Sequence, residues 1–173
     1  MRIAKKELTQ QILQEYLHYD AITGHFTWKK KHCNKVIPGN RAGSICRGKR
    51  VINFAGCVHH EHRLVWLYMT GSYPKGHIDH IDHNEQNNAF SNLRDVTQKE
   101  NNKNNSLRVD NNSGEIGIYI NRRKKAITYQ VDVSFNNHRL CRAFKTMDQA
   151  IMARNLFYKK HDFHSNHGIS KPT

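Results

Sequence analysis

The segment that most restricts the fold of this chain is GHIDHIDHNEQNN, residues 76–88. It contains three histidines, three acidic residues and three asparagines, and almost no apolar side chain. Such a segment cannot build a hydrophobic core, so the residues on either side must supply one and hold this stretch at its edge. It also raises a question of chemistry, because it contains two overlapping Asp-His pairs, Asp79-His80 and Asp82-His83.

The residues before this segment have the patterns of two short helices and a small sheet. Apolar residues at helical spacing follow Thr9, a suitable N-cap, and predict a first helix over residues 9–18. Runs rich in β-branched and aromatic residues, separated by glycines, predict a small antiparallel sheet with basic loops. The segment HEHRLVWLYMTG predicts a helix that ends at Gly71 and covers this sheet.

The residues after the polar segment predict a strand, a short helix and then a second module. LRDV is typical of a strand, and Thr97 with Glu100 matches a capping box that begins a helix containing Asn101. Further along, three strand candidates precede a second capping box at Thr146, which begins another helix. These patterns predict an α+β protein.

A polar stretch between the two modules predicts a domain boundary. Residues 106–114 end in NNSG and are typical of a linker. We therefore predict a first domain over residues 1–105 and a second over residues 115–173.

The charge of the chain indicates a polyanionic partner. It has 28 Lys and Arg against 14 Asp and Glu, a formal net charge of +14. The basic residues are scattered among strand-like segments and not along an amphipathic helix, so double-stranded DNA is favoured over a membrane surface. No apolar run has the length of a membrane span, and the N-terminus lacks the apolar core of a secretion signal. We expect an intracellular, cytoplasmic protein.

The Asp-His pairs suit the hydrolysis of a phosphodiester. This reaction needs a group that deprotonates water and positive charge beside the departing oxygen. A neutral imidazole supplies the first, and Mg²⁺ held by a few oxygen ligands supplies the second. Asp79 and His80 are adjacent on a predicted strand, so one can hold a metal while the other approaches phosphorus from a different side.

The stretch from His62 to Asn104 resembles the HNH nucleases, and in particular their phage homing-endonuclease branch. The resemblance is carried by HRLVWLYMTG and by GHIDHIDHNEQNNAFSNLRDVTQKENNKN, about a quarter of the chain. It implies a ββα-metal module at about residues 76–105. It also implies a metal-dependent DNA endonuclease that requires Mg²⁺, with Mn²⁺ as the alternative.

The resemblance also implies a role for four residues. Asp79 and Asn101 match the metal ligands, His80 matches the general base, and Asn92 matches the residue that braces the loop and orients His80. The second Asp-His pair falls where the family has a turn, often Asp-Gly-Asn, with His83 in place of the glycine. Asp82 and Asn84 are therefore expected to organise the loop by side-chain to backbone hydrogen bonds.

The C-terminal module resembles an APETALA2-type DNA-binding domain, in which a three-stranded sheet is backed by one helix. The aromatic and glycine positions of that family are only partly kept, with Tyr129 where a tryptophan is common. The resemblance implies that the exposed face of the sheet enters the major groove.

Basic residues in both modules are candidates for contact with DNA. In the first module they are Lys29, Lys30, Lys31, Arg41, Arg47 and Arg50, and in the second they are Arg122, Arg123, Lys124, Arg139 and Arg142. Their alternative role is that of a solvated charged surface.

The predicted function is that of a phage-encoded homing endonuclease acting in the cytoplasm of the bacterial host. One reaction centre per chain predicts a monomer that nicks one strand, with no obligate protein partner. A non-catalytic DNA-binding regulator or packaging accessory on the same scaffold is the alternative. An RNA-binding protein is less favoured, because neither the RRM nor the KH signature is present.

Overall fold

The structure is a computed structural model that describes residues 8–108, 110–123 and 126–169. It has an α+β fold with several small antiparallel sheets. Along the chain it divides into two compact units, between Asn101 and Asn102.

The first part of the first unit contains two helices and two small antiparallel sheets. Its elements up to the second helix are α1 (Gln10–Tyr16), β1 (Leu17–Asp20), β2 (His25–Trp28), β3 (Ser44–Cys46), β4 (Lys49–Phe54), β5 (Cys57–His60) and α2 (Glu61–Thr70). Strand β1 pairs with β2, and β3, β4 and β5 form a meander. The predicted caps of both helices are confirmed: Thr9 accepts a hydrogen bond from the Ile12 backbone N–H, and Gly71 ends α2 with a φ of 79°.

One hydrophobic core lies between these elements. Its completely buried side chains come from both helices and from strands of both sheets, and they include Leu13, Leu17, Phe26, Ile52, Phe54, Leu64 and Val65. Trp66 of α2 packs against Phe90, with the ring centroids 5.4 Å apart. Helix α2 therefore joins the core to the segment that follows the polar loop.

The polar segment, residues 76–88, forms strand β6 and the loop that follows it, near the end of the first unit. Strand β6 (His77–His80) pairs with β7 (Leu93–Val96), so that Asp79 lies opposite Arg94. Helix α3 (Gln98–Asn101) follows and contacts both strands. The predicted capping box is confirmed, because the Glu100 backbone N–H donates to Thr97 Oγ1 (3.3 Å) and the Thr97 backbone N–H donates to Glu100 Oε2 (2.8 Å).

The described residues of the second unit form a three-stranded sheet, a long helix and a single 3-10 turn at Asn102–Asn104. Strands β8 (Ile118–Arg123), β9 (Ala126–Phe135) and β10 (His138–Phe144) form an antiparallel sheet with β9 in the centre. Helix α4 (Met147–Lys160) packs on one face of it, around Val131 and Ala150. Thr146 caps this helix at the predicted position, since the Gln149 backbone N–H donates to Thr146 Oγ1.

The second unit begins earlier along the chain than the predicted second domain. The prediction assigned residues up to 105 to the first domain and residues 106–114 to a linker. In the structure, residues 102–108 pair with the segment that follows α4. Three backbone hydrogen bonds make this contact: His164 to Lys103, Gly168 to Asn105 and Leu107 to Ile169.

No helix within the described ranges combines the length and the apolar character needed to cross a membrane.

Candidate active site

The side chains of Asp79 and His80 lie at the end of β6, and each is only 8% exposed. Strand β6 is short, and its pairing with β7 leaves His80 opposite Leu93. Gly76 allows the two strands to approach at the start of this hairpin, since a Cβ there would lie 2.3 Å from the Val96 carbonyl oxygen. The local sequence therefore places an acid and an imidazole at two consecutive buried positions of this strand.

His80 is held by Asn88, which the sequence analysis did not identify. The Nε2 atom of His80 lies 2.9 Å from Asn88 Oδ1. The Nδ2 atom of Asn88 donates in turn to Glu61 Oε2 (2.7 Å), and the hydroxyl of Tyr19 donates to the Asn88 carbonyl (2.9 Å). Glu61 and Asn88 are almost completely buried, with exposures of 0% and 1%. A buried polar chain thus runs from α2 to the imidazole.

Burial raises the pKa of Glu61, although the hydrogen bond from Asn88 and the nearby Arg50 oppose this shift. Arg50 Nε lies 3.7 Å from Glu61 Oε1. Arg50 Nη2 donates to the carbonyls of Ala42 and Gly43, both at 3.2 Å. The guanidinium of Arg50 is therefore the counter-charge of a buried carboxylate, and it also links β4 to the segment that precedes β3. This internal role differs from the predicted contact with DNA.

Asn92 braces the loop between the two strands. Its Nδ2 donates to Asp82 Oδ1 (2.8 Å) and to the Asn87 carbonyl (2.9 Å), and its Oδ1 accepts from the Asp82 backbone N–H (3.1 Å). These hydrogen bonds join Asn92 to Asp82 and Asn87, so they link Asn92 to His80 only through the backbone of the loop. The side chain that accepts a hydrogen bond from His80 is that of Asn88.

Asp82 and Asn84 organise the loop by side-chain to backbone hydrogen bonds, as predicted. Asp82 Oδ1 accepts from the Asn84 backbone N–H (2.8 Å), and Asn84 Oδ1 accepts from that of Gln86 (3.0 Å). Burial raises the pKa of Asp82, but the hydrogen bonds from Asn87, Asn84 and Asn92 outweigh it and lower the pKa overall. His83 has a φ of 62°, the left-handed conformation that glycine adopts more easily.

Asp79 has an arginine partner that was also missed by the sequence analysis. Arg94 contacts Asp79 Oδ2 through Nε (2.7 Å) and Nη2 (2.6 Å). The pairing of β6 with β7 puts the two residues opposite each other, which a sequence cannot reveal before the register is known. Asn101, the other predicted metal ligand, is the last residue of α3, and its backbone N–H donates to the Thr97 carbonyl (2.9 Å).

A row of three histidines borders the site. The rings of His60 and His62 stack with centroids 5.3 Å apart, and His62 meets His80 edge to face at 5.3 Å. Burial, followed by the neighbouring His80 and His60, lowers the pKa of His62 to about 3. His62 is therefore neutral near pH 7 and adds no positive charge beside His80. In the described parts of the chain, no three His, Cys, Asp or Glu side chains form a group that could hold a metal.

The candidate DNA contacts of the first unit are exposed apart from Arg50. They are Lys29, Lys30, Lys31, Arg41 and Arg47. Lys30 pairs with Glu15 (2.9 Å), and Lys29 donates to the Gln14 carbonyl (2.8 Å).

The candidate contacts of the second unit lie on different faces of its sheet. Arg139 is opposite Ser134 and forms two hydrogen bonds with Asp132, on the face away from α4. Arg142 is opposite the core residue Val131, and strand alternation puts it on the α4 side with Arg122. The side chain of Arg123 and all of Lys124 lie outside the described residues.

Two comparisons with known proteins concern the part of the chain that contains these residues. Residues 59–103 match the family model described as HNH endonuclease. The chain is also 44% identical over 59 residues to "Protein 3.8" of Escherichia phage T7, a stretch that covers 34% of this chain and 49% of that protein. The chain thus matches about half the length of this curated relative. No solved structure matches the chain. Residues 59–103 are therefore an HNH endonuclease family-model domain, and they contain every residue of the β6–β7–α3 segment.

Proposed function

We propose that this protein is a metal-dependent DNA endonuclease whose reaction centre is His80. One observation carries the proposal: a buried imidazole, held from one side by Asn88, lies next to Asp79 inside the residues that match the HNH endonuclease model. The positive net charge of +14 supports DNA as the substrate. Phage homing endonuclease is the proposed class, and the relative from a phage supports the phage part of it.

The chemistry of Asp79 and Asn101 fits a hard divalent cation. A carboxylate and an amide both offer oxygen ligands, and Mg²⁺ accepts few protein ligands when phosphate and water fill its other positions. Arg94 fixes the orientation of the Asp79 carboxylate. We propose that these two residues hold Mg²⁺, or Mn²⁺ as the alternative, which when bound neutralises charge on the departing 3′ oxygen.

The residues of the chain perform the proton transfer. His80 accepts a proton from water, and the resulting hydroxide attacks phosphorus as the bond to the 3′ oxygen breaks. The proton then leaves the imidazolium to solvent. The neutral His62 beside His80 favours this step, because a second positive charge 5.3 Å away would oppose protonation of the base.

One reaction centre per chain leads us to propose that a monomer nicks one strand. Its place of action would be the cytoplasm of an infected bacterium, where phage DNA is found. Residues 59–103 would form a ββα-metal module, and the division into two units would separate cleavage from part of the DNA binding.

Removal of divalent metal tests the proposed function directly. With supercoiled phage DNA and Mg²⁺ we expect conversion to the nicked circle, and with EDTA we expect none, while DNA binding measured by gel shift persists. Adding Mg²⁺ back after EDTA should restore cleavage and serves as the control. Cleavage of the same DNA at full rate in EDTA would contradict the proposal.

A non-catalytic DNA-binding protein on the same scaffold is the second candidate. The Asp79–Arg94 ion pair favours it, because a guanidinium already neutralises the carboxylate that would hold the metal. Under this alternative the protein binds phage DNA and leaves it intact with any divalent ion.

For the second unit, we propose an APETALA2-like module that binds DNA with the sheet face away from α4. This face carries two polar pairs: Asn121 donates to Gln130 (2.9 Å), and Arg139 is oriented by Asp132 (2.9 and 2.7 Å). Amides and arginine are suited to reading base edges or binding phosphates.

Replacing Arg139 with glutamine should weaken DNA binding in a salt-dependent way. If Arg139 contacts a phosphate, the slope of log Kd against log salt should fall by about one unit. Arg108→Gln is the matched control, since Arg108 is also exposed and also paired with an aspartate, Asp110, but lies outside the sheet. Equal slopes for Arg139→Gln and the wild type would remove Arg139 from the interface.

A further inference from the structure

We infer that Glu61 is a positioning residue that fixes the tautomer of His80 through the side chain of Asn88. The inference deepens the proposed function, because it concerns the same imidazole. It rests on two side-chain hydrogen bonds in series, 2.7 Å from Asn88 Nδ2 to Glu61 Oε2 and 2.9 Å between Asn88 Oδ1 and His80 Nε2.

The direction of these bonds follows from the chemistry of the three groups. An ionised carboxylate can only accept hydrogen bonds, so Glu61 must receive the Asn88 NH₂ group. The amide oxygen of Asn88 then faces His80, and an oxygen accepts only from a protonated ring nitrogen. The proton of the neutral imidazole is therefore on Nε2, and Nδ1 is the basic nitrogen. Without the carboxylate, the amide could rotate and reverse the tautomer.

Arg50 and Asn88 favour the charged form of Glu61, against the burial that raises its pKa. Arg50 supplies a counter-charge 3.7 Å away and is itself held by two backbone carbonyls. A buried carboxylate is costly to retain, and a neutral residue of similar size would fill the same space. A purely structural role would not require a negative charge at this position.

The position of Asn88 is also fixed by the backbone around it. The Tyr19 hydroxyl donates to its carbonyl (2.9 Å). Gly24, with a φ of 72°, packs against the same peptide, since a Cβ there would lie 2.4 Å from the Asn88 carbonyl carbon and 2.3 Å from the Ala89 nitrogen. Asn88 can thus change its amide orientation but has little room to move away, so the choice between tautomers depends on Glu61.

Nitrogen NMR of histidine-labelled protein tests the inference without any need for activity. At a pH where His80 is neutral, its signals should show the Nε2–H tautomer in the wild type and a mixture in Glu61→Gln, whose amide can either donate or accept. The double variant Glu61→Gln/Asn88→Asp should recover the Nε2–H tautomer. In that variant the new amide donates to the new carboxylate, and this carboxylate accepts from the Nε2–H group of His80. Glu15→Gln, which removes an exposed carboxylate, is the control and should leave the His80 signals unchanged.

Activity measurements provide the second readout. Glu61→Gln should lower kcat for nicking by about 10-fold to 100-fold with little change in the Kd for DNA, and the double variant should regain part of the loss. An unchanged tautomer in Glu61→Gln would overturn the inference. Absence of nicking by the wild type would overturn the proposed function, whereas the tautomer result would still decide the role of Glu61.

Discussion

Replacing His80 with alanine should abolish most of the nicking activity and leave the affinity for DNA nearly unchanged. The variant loses the only group proposed to deprotonate water, and general-base catalysis of this kind contributes about 10²-fold to 10⁴-fold to the rate. His80 contributes little to the surface that DNA would contact, because its side chain is only 8% exposed. The measurement is single-turnover nicking of supercoiled DNA with Mg²⁺, together with a Kd from gel shift or fluorescence anisotropy.

The matched control is His77→Ala. His77 lies three positions earlier on the same strand and is exposed, opposite Val96. It should retain the wild-type rate and stability. If His77→Ala and His80→Ala lost activity to the same degree, the strand and not the imidazole would be responsible. A fully active His80→Ala protein would remove His80 from the reaction.

The local elements of the fold could be predicted because their signals lie close together in the sequence. The capping box at Thr97, the N-cap at Thr146 and the Gly71 C-cap each depend on residues within one or two helical turns. The loop role of Asp82 depends on backbone groups that are two residues away. Because the groups that interact are close along the chain, these interactions can be inferred from the sequence pattern alone.

The partners of the candidate site could not be predicted, because they are distant in sequence. Asn88 and Glu61 are 27 residues apart, and the residues between them include a helix and a strand. Nothing in the sequence of the asparagine-rich loop distinguishes Asn88 from its neighbours, because its hydrogen bond to Glu61 depends on the fold. The Asp79–Arg94 pair likewise required the register of β6 and β7, and one residue of slip would have removed it.

The basic residues show the same limit on a larger scale. The net charge shows that cationic side chains are in excess. It does not show which of them lie on a given face of the sheet and which have an internal role. Arg50 is used inside the first unit as the counter-charge of Glu61. Arg139 and Arg142 are three residues apart on β10, so they project to opposite faces of the sheet.

Replacing His62 with phenylalanine should make the first unit markedly less sensitive to acid. The folded-state pKa of His62 is lowered from 6.5 to about 3, chiefly by burial. In the unfolded chain the imidazole gains its proton as the pH falls below about 6.5, whereas the folded protein resists protonation until the pH is far lower. The contribution of neutral His62 to stability is therefore complete above pH 6.5 and is lost as the pH falls towards 3.

The size of this effect follows from the shift. Each pKa unit corresponds to about 1.4 kcal/mol, so His62 should cost the wild type up to about 3 kcal/mol of unfolding free energy between neutral pH and about pH 4. Phenylalanine keeps an aromatic ring in the stack and removes the titration. The free energy of unfolding of His62→Phe should then fall less over this range, by up to the same amount.

Denaturant unfolding at a series of pH values measures the difference in unfolding free energy between His62→Phe and the wild type, and it can be followed in the first unit alone. Both tryptophans of the chain, Trp28 and Trp66, belong to the first unit, so their fluorescence reports its unfolding separately from that of the second. His60→Phe is the control, since His60 belongs to the same stack but is exposed, and it should keep the wild-type slope against pH. If His62→Phe lost stability as steeply as the wild type on acidification, His62 would be protonated in the folded protein. The charge beside His80 would then oppose its action as a base.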